Sequence, residues 1–433
     1  MSPGMPVSDR SLWLQTAGPP PSSESLDGDT ACDVAVIGAG FTGLTAALLL
    51  AEAGLSVLVL EAEEPGWGAS GRNAGFVVPT LSRVDPDGMR RILGDQRGDR
   101  LARAVGAGGA GVFALARRHA IACDQVESGW VQPVHASALL DTVRRRCAQW
   151  AALDQPVDWL DHAAVAEVTG TDRFVGGWIH RGGGAIHPVK YLHGLVAAFA
   201  RAGGRMVCRT PVRRWRRAGE GWAVETDVGT VTAGRLLVCT NALAGALDRA
   251  LARSFVPLTV YQMASDPVDD ETASRLTPGR QPVSDTRADV FTFRLDADNR
   301  LITGGMAALP FSAGPRIAGH MQRRLASELR LGAPPPVAFL WRGTAAVTRD
   351  FLPAIHRLGA GAWAGFACNA RGIASTHVLA QDLVRLVCDG DAATETTAIP
   401  VRPVRPLPFA GLAAALPHLW LMKGRLDDRR LQT

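Results

Sequence analysis

Apolar residues follow two spacings along this 433-residue chain, and the two alternate most regularly near its start. Val34 to Ile37 is a β-branched run without a polar break, the pattern of a strand buried on both faces. It leads through Gly38-Ala39-Gly40-Phe41-Thr42-Gly43 into Leu44 to Ala53, an apolar stretch free of proline that predicts a helix. Gly54 stands where a glycine closes a helix. Leu55 to Leu60 predicts a second strand, ending on Glu61. The three segments make one βαβ unit of about thirty residues.

Beyond residue 90 the pattern is weaker. Arg97 to Ala120 and Ser137 to Ala152 carry apolar residues at helical spacing with arginines on the opposite face, and Val189 to Ala202 predicts a helix closed by Gly203-Gly204. Short strand-like runs follow at Arg205 to Thr210, Trp222 to Thr226, Thr230 to Ala233 and Leu236 to Thr240. Asp289 to Leu295 and Arg300 to Thr303 predict a hairpin around Asp296-Ala297-Asp298-Asn299. Trp363 to Ala367 predicts a strand and Ile373 to Val387 a late helix, while residues 17–30 read as a loose lead-in. Strands interleaved with helices at both ends predict an α/β sheet, and the hairpin-rich middle a second, antiparallel layer.

Composition narrows the class. A hydrophobic fraction of 47% against 20% charged is that of a globular chain, and the length suffices for two cores. The net charge of +5 would suit nucleic acid, but every basic residue except Lys190 and Lys423 is arginine and no run of five basic residues occurs. No phosphate-tracking stripe, and so no nucleic-acid partner, is expected. Seven scattered cysteines without a C-x-x-C predict reduced thiols rather than disulfides or zinc, and no metal motif is present. Phe409 to Met422 is shorter than the ~20 apolar residues of a membrane span and contains Pro417. With no signal-type N-terminus, a cytoplasmic chain without a membrane span is expected.

The chemistry begins at the glycines. Gly38 permits a tight turn, Gly40 lets backbone N–H groups approach a pyrophosphate, and Gly43 lets helix and strand close together. Glu61, 23 residues after Gly38, stands where a carboxylate accepts hydrogen bonds from ribose hydroxyls. A second glycine-rich loop, Gly66-Trp67-Gly68-Ala69-Ser70-Gly71-Arg72-Asn73-Ala74-Gly75, follows directly. Small residues there let the backbone run along an extended ligand, which FAD needs and NAD does not.

These motifs resemble the D-amino acid oxidase-like family of FAD-dependent oxidoreductases, which includes glycine oxidase and sarcosine oxidase, and within it the gamma-glutamylputrescine oxidoreductase-like members. The matching stretches are Asp33 to Gly43, Glu61, Gly68 to Gly75, Leu237 to Ala242, Arg294-Leu295-Asp296, Gly304-Gly305, Trp341-Arg342-Gly343 with Thr348, Asp350 and Pro353, and Asn369 to Ile373. The resemblance implies an FAD-binding Rossmann-like domain of the glutathione reductase type (30–80, 186–250 and 336–400). It also implies an α+β substrate domain on an antiparallel sheet (81–185 and 251–335), with 1–29 as lead-in and 401–433 as tail. Gly38, Gly40, Phe41, Thr42 and Gly43 would cradle the pyrophosphate, with Glu61 and Ala62 at the adenosine ribose. Gly68, Ala69 and Ser70 would contact pyrophosphate or ribityl groups, and Arg72, Asn73, Ala74 and Gly75 would pass beside the isoalloxazine. Val212 falls at the backbone contacts to adenine, Thr240 ends the strand that closes over the cofactor, and Gly343 lies in the flavin segment. Gly372 and Ile373 open a helix whose N–H groups and dipole can face flavin N1 and C2=O, with Arg371 adding charge or lying on the surface.

The chain departs from the family twice. Arg342-Gly343-Thr344 stands where sarcosine oxidase-like members carry a flavin-linking cysteine, so FAD is expected to be non-covalent, with Cys368 a buried residue of another loop. Ala345 stands where amino-acid oxidases hold a carboxylate with arginine, which favours an amine over a free α-amino acid. Arg294 or Arg342 would substitute, or serve the structure, and Phe291, Phe293 and Trp341 are candidates for an apolar substrate wall. His187 and Lys190 read as structural, and no catalytic residue stands out. The implied partners are a small amine or amino-acid substrate and oxygen or another electron acceptor, although the oxygen-activating lysine expected near Ile302 is missing. A flavin monooxygenase would carry Gly-Asp where this chain has Asn369-Ala370-Arg371-Gly372, and a non-catalytic flavin module would not need the second layer.

Overall fold

The computed structural model describes residues 7–8, 10–307, 313–366, 369–408 and 416–431. Its strands are β1 (Thr30–Ile37), β2 (Val57–Leu60), β3 (Phe76–Val77), β4 (Trp130–Val134), β5 (Val157–Leu160), β6 (Gly176–His180) and β7 (Gly184–Ala185). There follow β8 (Arg205–Val207), β9 (Val212–Ala218), β10 (Gly221–Thr226), β11 (Thr230–Val238), β12 (Val256–Pro267) and β13 (Val283–Ser284). The last are β14 (Thr292–Leu295), β15 (Arg300–Gly305), β16 (Val337–Val347), β17 (Ala354–Gly359), β18 (Ala362–Phe366) and β19 (Val401–Pro403).

The first sheet runs β19-β17-β18-β11-β1-β2-β8, with β10 and β9 added antiparallel from β11. β1 lies at its centre, parallel to β2 and to β11. Its side chains alternate as a pleated strand requires. Val34 and Val36 enter one core with the helices Phe41–Glu52 and Gly372–Asp389, while Ala35 and Ile37 enter another with Trp222, Phe255 and Phe366. Both faces are covered, which is why this stretch reads as an unbroken apolar run. The second sheet runs β16-β12-β15-β14-β13-β4-β6-β5 and is largely antiparallel. Met263, Phe293 and Leu340 on one face bury against Ile317, Met321 and Leu325 of the helix Ala313–Glu328.

Four expectations change. The runs at 230–233 and 236–240 are one strand: the first half of β11 pairs with β10 and the second with β18, on the same edge. The expected boundary at 336 moves to between Val347 and Ala354, because β16 pairs along its length with β12 of the second sheet. The lead-in is anchored: Ser11 caps the helix Leu12–Thr16, whose Leu12 and Trp13 are buried, and Leu26 enters the core of the first sheet. The tail is built in too. β19 extends the first sheet, and the helix Leu416–Arg430 sits on the second layer, where Gly424 meets Ala288, Arg425 Nε donates to Asp289 (2.8 Å) and Asp428 accepts from the Ala288 N–H (3.0 Å).

Candidate active site

The turn after β1 depends on backbone that side chains would block. Gly38 has φ +103°, and a Cβ on Gly43 would stand 2.0 Å from the Gly38 carbonyl oxygen. Gly40 precedes the helix with extended backbone and no side-chain cap, so the first-turn N–H groups are left for a ligand, apart from that of Phe41, which donates to Ser70 Oγ (3.1 Å). Glu61 is oriented by the N–H groups of Ala39 (2.6 Å) and Glu63 (3.0 Å), yet burial raises its proton affinity above that of an ordinary carboxyl.

The second glycine loop is braced from within and from outside. Asn73 Nδ2 donates to the carbonyls of Ala69 (3.2 Å) and Ser70 (2.7 Å), and its Oδ1 accepts from the Gly75 N–H (2.7 Å). Arg72 Nε donates to Trp67 O (2.6 Å). Contacts from distant segments hold the same loop, among them Ser11 Oγ to Gly71 O (2.6 Å), Trp13 Nε1 to Asn73 O (2.6 Å) and Trp341 Nε1 to Arg72 O (2.9 Å).

Both loops open on one cavity of about 1320 Å³ between the sheets, larger than the ~300–1,000 Å³ of an ordinary ligand pocket and so roomy enough for a cofactor and a substrate together. Of the residues expected at the cofactor, Gly38, Gly40, Phe41, Thr42, Glu61, Ala62, Gly68, Ala69, Ser70, Arg72, Asn73, Ala74, Val212, Thr240, Gly343, Arg371, Gly372 and Ile373 line it. Gly43 and Gly75 stand behind it, the first spacing the helix from the turn, the second with φ +77° and a Cβ position 2.4 Å from Ile186 O. Asn369 (φ +46°) and Ala370 (φ +62°) bend the chain into the helix Gly372–Asp389, and Asn369 Oδ1 accepts from the Thr348 N–H (2.9 Å), tying the bend to the segment after β16. That helix has no side-chain cap, and its first turn faces the cavity.

The expected substrate wall is different. Only Arg342 of that set lines the cavity, together with Ala345. Phe291 and Phe293 are buried against one another (5.6 Å between centroids) in the core of the second sheet, and Trp341 is buried with Leu12 and Trp13. Their side chains fill apolar cores, the commoner fate of aromatics at strand spacing. Arg294 is a brace: its buried Nη1 donates to Gly75 O and Ile186 O (3.0 Å each), and burial lowers its pKa to about 10. His187 caps the helix Pro188–Arg201, accepting from the Lys190 N–H (3.2 Å), with Nε2 3.0 Å from Thr16 Oγ1. Lys190 pairs with Asp124 at 2.8 Å. Cys368 lies outside the described residues. Sequence reasoning missed Gln132, Arg83, Arg146 and Trp420, which also line the cavity. Arg146 was visible only as one of several arginines on a predicted helix face, and Arg83, Gln132 and Trp420 carried no signal of their own.

A glycine turn after the central strand of a mostly parallel sheet, with a second glycine loop and a cavity roofed by an antiparallel layer, defines a dinucleotide-dependent oxidoreductase architecture. The chain belongs to the DAO family, described as FAD dependent oxidoreductase, whose model matches residues 33–386. It is therefore an FAD-dependent enzyme. It is 30% identical over 375 residues to gamma-glutamylputrescine oxidoreductase of Escherichia coli (strain K12), covering 85% of this chain and 86% of that relative. It is 28% identical to the probable oxidoreductase OrdL of Rhizobium meliloti (strain 1021), covering 82% and 84%. Among solved structures, L-amino acid deaminase of Proteus vulgaris shares the fold at a TM-score of 0.72 and 17% identity, over 88% of this chain and 96% of that one. Glycine oxidase of Geobacillus kaustophilus shares it at 0.66 and 21%, over 82% and 95%.

Proposed function

We propose that the chain oxidises the CH–NH bond of an amine or amino acid, using FAD held without a covalent link, and that the imine product is then hydrolysed. The observation that carries this reading is the single cavity that joins the Gly38 turn to the strand face at Leu258, Val260 and Ala345. Bound FAD supplies the hydride acceptor at flavin N5. The residues fit it: a side chain on Gly40 would meet Ser70 Oγ at 3.0 Å, and glycine leaves the neighbouring N–H groups open to a diphosphate. Glu61 would accept ribose hydroxyls. The uncapped helix at Gly372 would favour negative charge developing at the pyrimidine end.

The rest of the wall does little proton chemistry. No histidine or lysine is among the described residues that line the cavity, so the amine is read as reacting in its neutral form, with its lone pair assisting C–H cleavage. Cys239 is the cysteine among the described lining residues, and burial pushes its thiol up to about 12, which keeps it protonated and un-nucleophilic. The likeness to a gamma-glutamylputrescine oxidoreductase supports an amine substrate. Among the described residues no helix is long and apolar enough to cross a membrane.

The test is anaerobic mixing of the FAD-loaded protein with a panel of amines and amino acids. Bleaching of the flavin by at least one of them is expected. A flavin that stays oxidised against the whole panel, yet bleaches with dithionite, would remove the reading. Acid precipitation should leave the colour in the supernatant as free FAD.

A further inference from the structure

Three arginines from three separate segments meet at one side of the cavity. Arg83 lies in the loop before the helix Pro86–Leu93, Arg146 on the helix Leu140–Ala151, and Arg371 just before the helix Gly372–Asp389. All three also line a side recess of the cavity together with Gln132 of β4. Each guanidinium is held in place. Arg371 Nη1 donates to Leu81 O (2.9 Å) and to Thr80 Oγ1, with its head 4.9 Å from the Trp130 ring. Arg146 Nη1 donates to Gln132 Oε1 (3.2 Å), which also accepts from Trp178 Nε1 (3.0 Å). Arg83 stacks 4.1 Å from the ring of Trp420.

What the cluster lacks is an ion-pair partner. Among the described residues, no carboxylate comes within 4.0 Å of any of these three guanidinium groups. Asp85 lines the recess but caps its own helix, accepting from the Gly88 N–H (2.9 Å), and Asp428 is engaged by the Ala288 N–H. The cavity's other acids on this layer are already matched, Asp285 by Arg287 and Asp289 by Arg425. Three like charges converge, therefore, with their donors only partly used. Burial disfavours the charge on each of them, and for Arg371, lowered to about 9, the neighbouring Arg146 and Arg83 disfavour it further. Asp428 supports the charge on Arg83 and Asp85 that on Arg146, each from beyond ion-pair distance, yet desolvated cations without an ion-pair partner are costly to a fold unless an anion visits them.

We propose that Arg83, Arg146 and Arg371, with Gln132, form an anion subsite that takes a carboxylate carried by the substrate. This rests on the amine-oxidation reading and names the substrate class within it: an amine that also bears an acid. Planar guanidinium forks match a carboxylate's two oxygens, and three of them give more donors than one group can use. The subsite is not the family's arginine position moved by a residue or two. Gln132 on β4 is five strand spacings from Ala345 on β16, about 24 Å measured along the curved sheet at ~4.8 Å per spacing. The apolar Ala345 wall and the cationic wall therefore face different parts of the substrate. A carboxylate on the substrate thus finds partners in this cavity although Ala345 offers none.

The FAD-loaded protein should be titrated with succinate, and with its dimethyl ester as the uncharged control, reading heat and the flavin spectrum. Saturable succinate binding is expected, weakened at least tenfold by Arg146→Met and by Arg83→Met, with FAD content unchanged. Arg349→Met, which removes an exposed arginine elsewhere on the cavity, should leave binding as it is. Should Arg146→Met lose FAD, Arg146→Lys keeps the charge without the fork and should still weaken binding severalfold. Absence of succinate binding, or equal loss in Arg349→Met, would overturn the subsite. So would equal rates of flavin reduction by amine pairs that differ only in a carboxylate. If no amine reduces the flavin while succinate binding still depends on Arg146, the subsite stands and the reaction assigned above falls.

Discussion

The two sheets are built by opposite strategies. In the first, β1 and β2 are joined by one helix, and the residues that shape the cofactor turn fall within thirty-odd positions of each other. In the second, β12 takes β16 as its partner some eighty residues later, and β4 meets β13 across a gap nearly twice as long, Val131 pairing with Val283. Local assembly puts function where the chain turns. Remote assembly puts function where side chains from unrelated segments converge, as at Arg83, Arg146 and Arg371. The turn at Gly38 and the loop after it are encoded in one stretch of chain, whereas the cationic side of the cavity is spread across it.

The division can be broken by experiment, beginning with Phe293→Ala. Phe293 is fully buried in the second core, and truncating such a ring typically costs about 3–5 kcal/mol. Chemical denaturation should show that loss, while FAD affinity of the folded protein stays at the wild-type value. A parallel fall in affinity would mean that the two layers are one energetic unit. Glu61→Ala inverts the test, since it should weaken FAD binding by about one to two decades, ~1.5–3 kcal/mol, and weaken the folding of the apoprotein by less than that, through the N–H groups of Ala39 and Glu63 that it leaves unpaired.

Acid acts on both regions at once. His180 of the second sheet, His377 on the helix covering the first and His187 are held neutral by burial, with pKa values lowered from 6.5 to about 4. Between those values the unfolded chain binds more protons than the folded one. The stability these groups contribute is therefore complete above about 6.5 and lost as the pH falls toward about 4, at up to ~1.4 kcal/mol per pH unit for each imidazole. Denaturant midpoints measured from pH 7 down to 5 should fall, and His180→Phe should flatten the slope. The smallest effect belongs to Lys190→Met, which removes a half-buried pair with Asp124 and should cost no more than ~1 kcal/mol with flavin reduction unchanged. A large rate loss there would give Lys190 the catalytic part denied to it above.

The sequence shows this same asymmetry. The βαβ unit was legible to within a few residues, because β-branched strands, a proline-free helix and closing glycines act over short distances. β12 and β16 were not, since Pro257, Pro267 and Gly343 interrupt their alternation and each strand is defined by a partner that the local pattern cannot see. The lead-in failed for the same reason. Trp13 looks unremarkable beside Pro19 and Pro20, yet its indole holds the second glycine loop through Asn73. Within the site, the glycines and Glu61 announced themselves by spacing. Arg83 and Arg371 could not be told from the other arginines in a chain whose basic residues are almost all arginine.

The path of the chain between the sheets also orders events in time. It visits the first sheet, crosses to the second at β4, returns at β8, crosses again at β12 and returns at β17. On a ribosome, β1, β2, β8 and β11 of the first sheet have been made by Val238, but β18, which pairs with β11 on its other side, comes roughly 6–25 s later at ~5–20 residues per second. The helix Gly372–Asp389, which covers Val34 and Val36 and faces the cavity, is later still. β4 to β6 meanwhile wait for β13. A nascent chain of this protein therefore carries two half-built sheets with bare apolar faces for most of its synthesis. The wall of the cavity is therefore incomplete until the helix Gly372–Asp389 has been made.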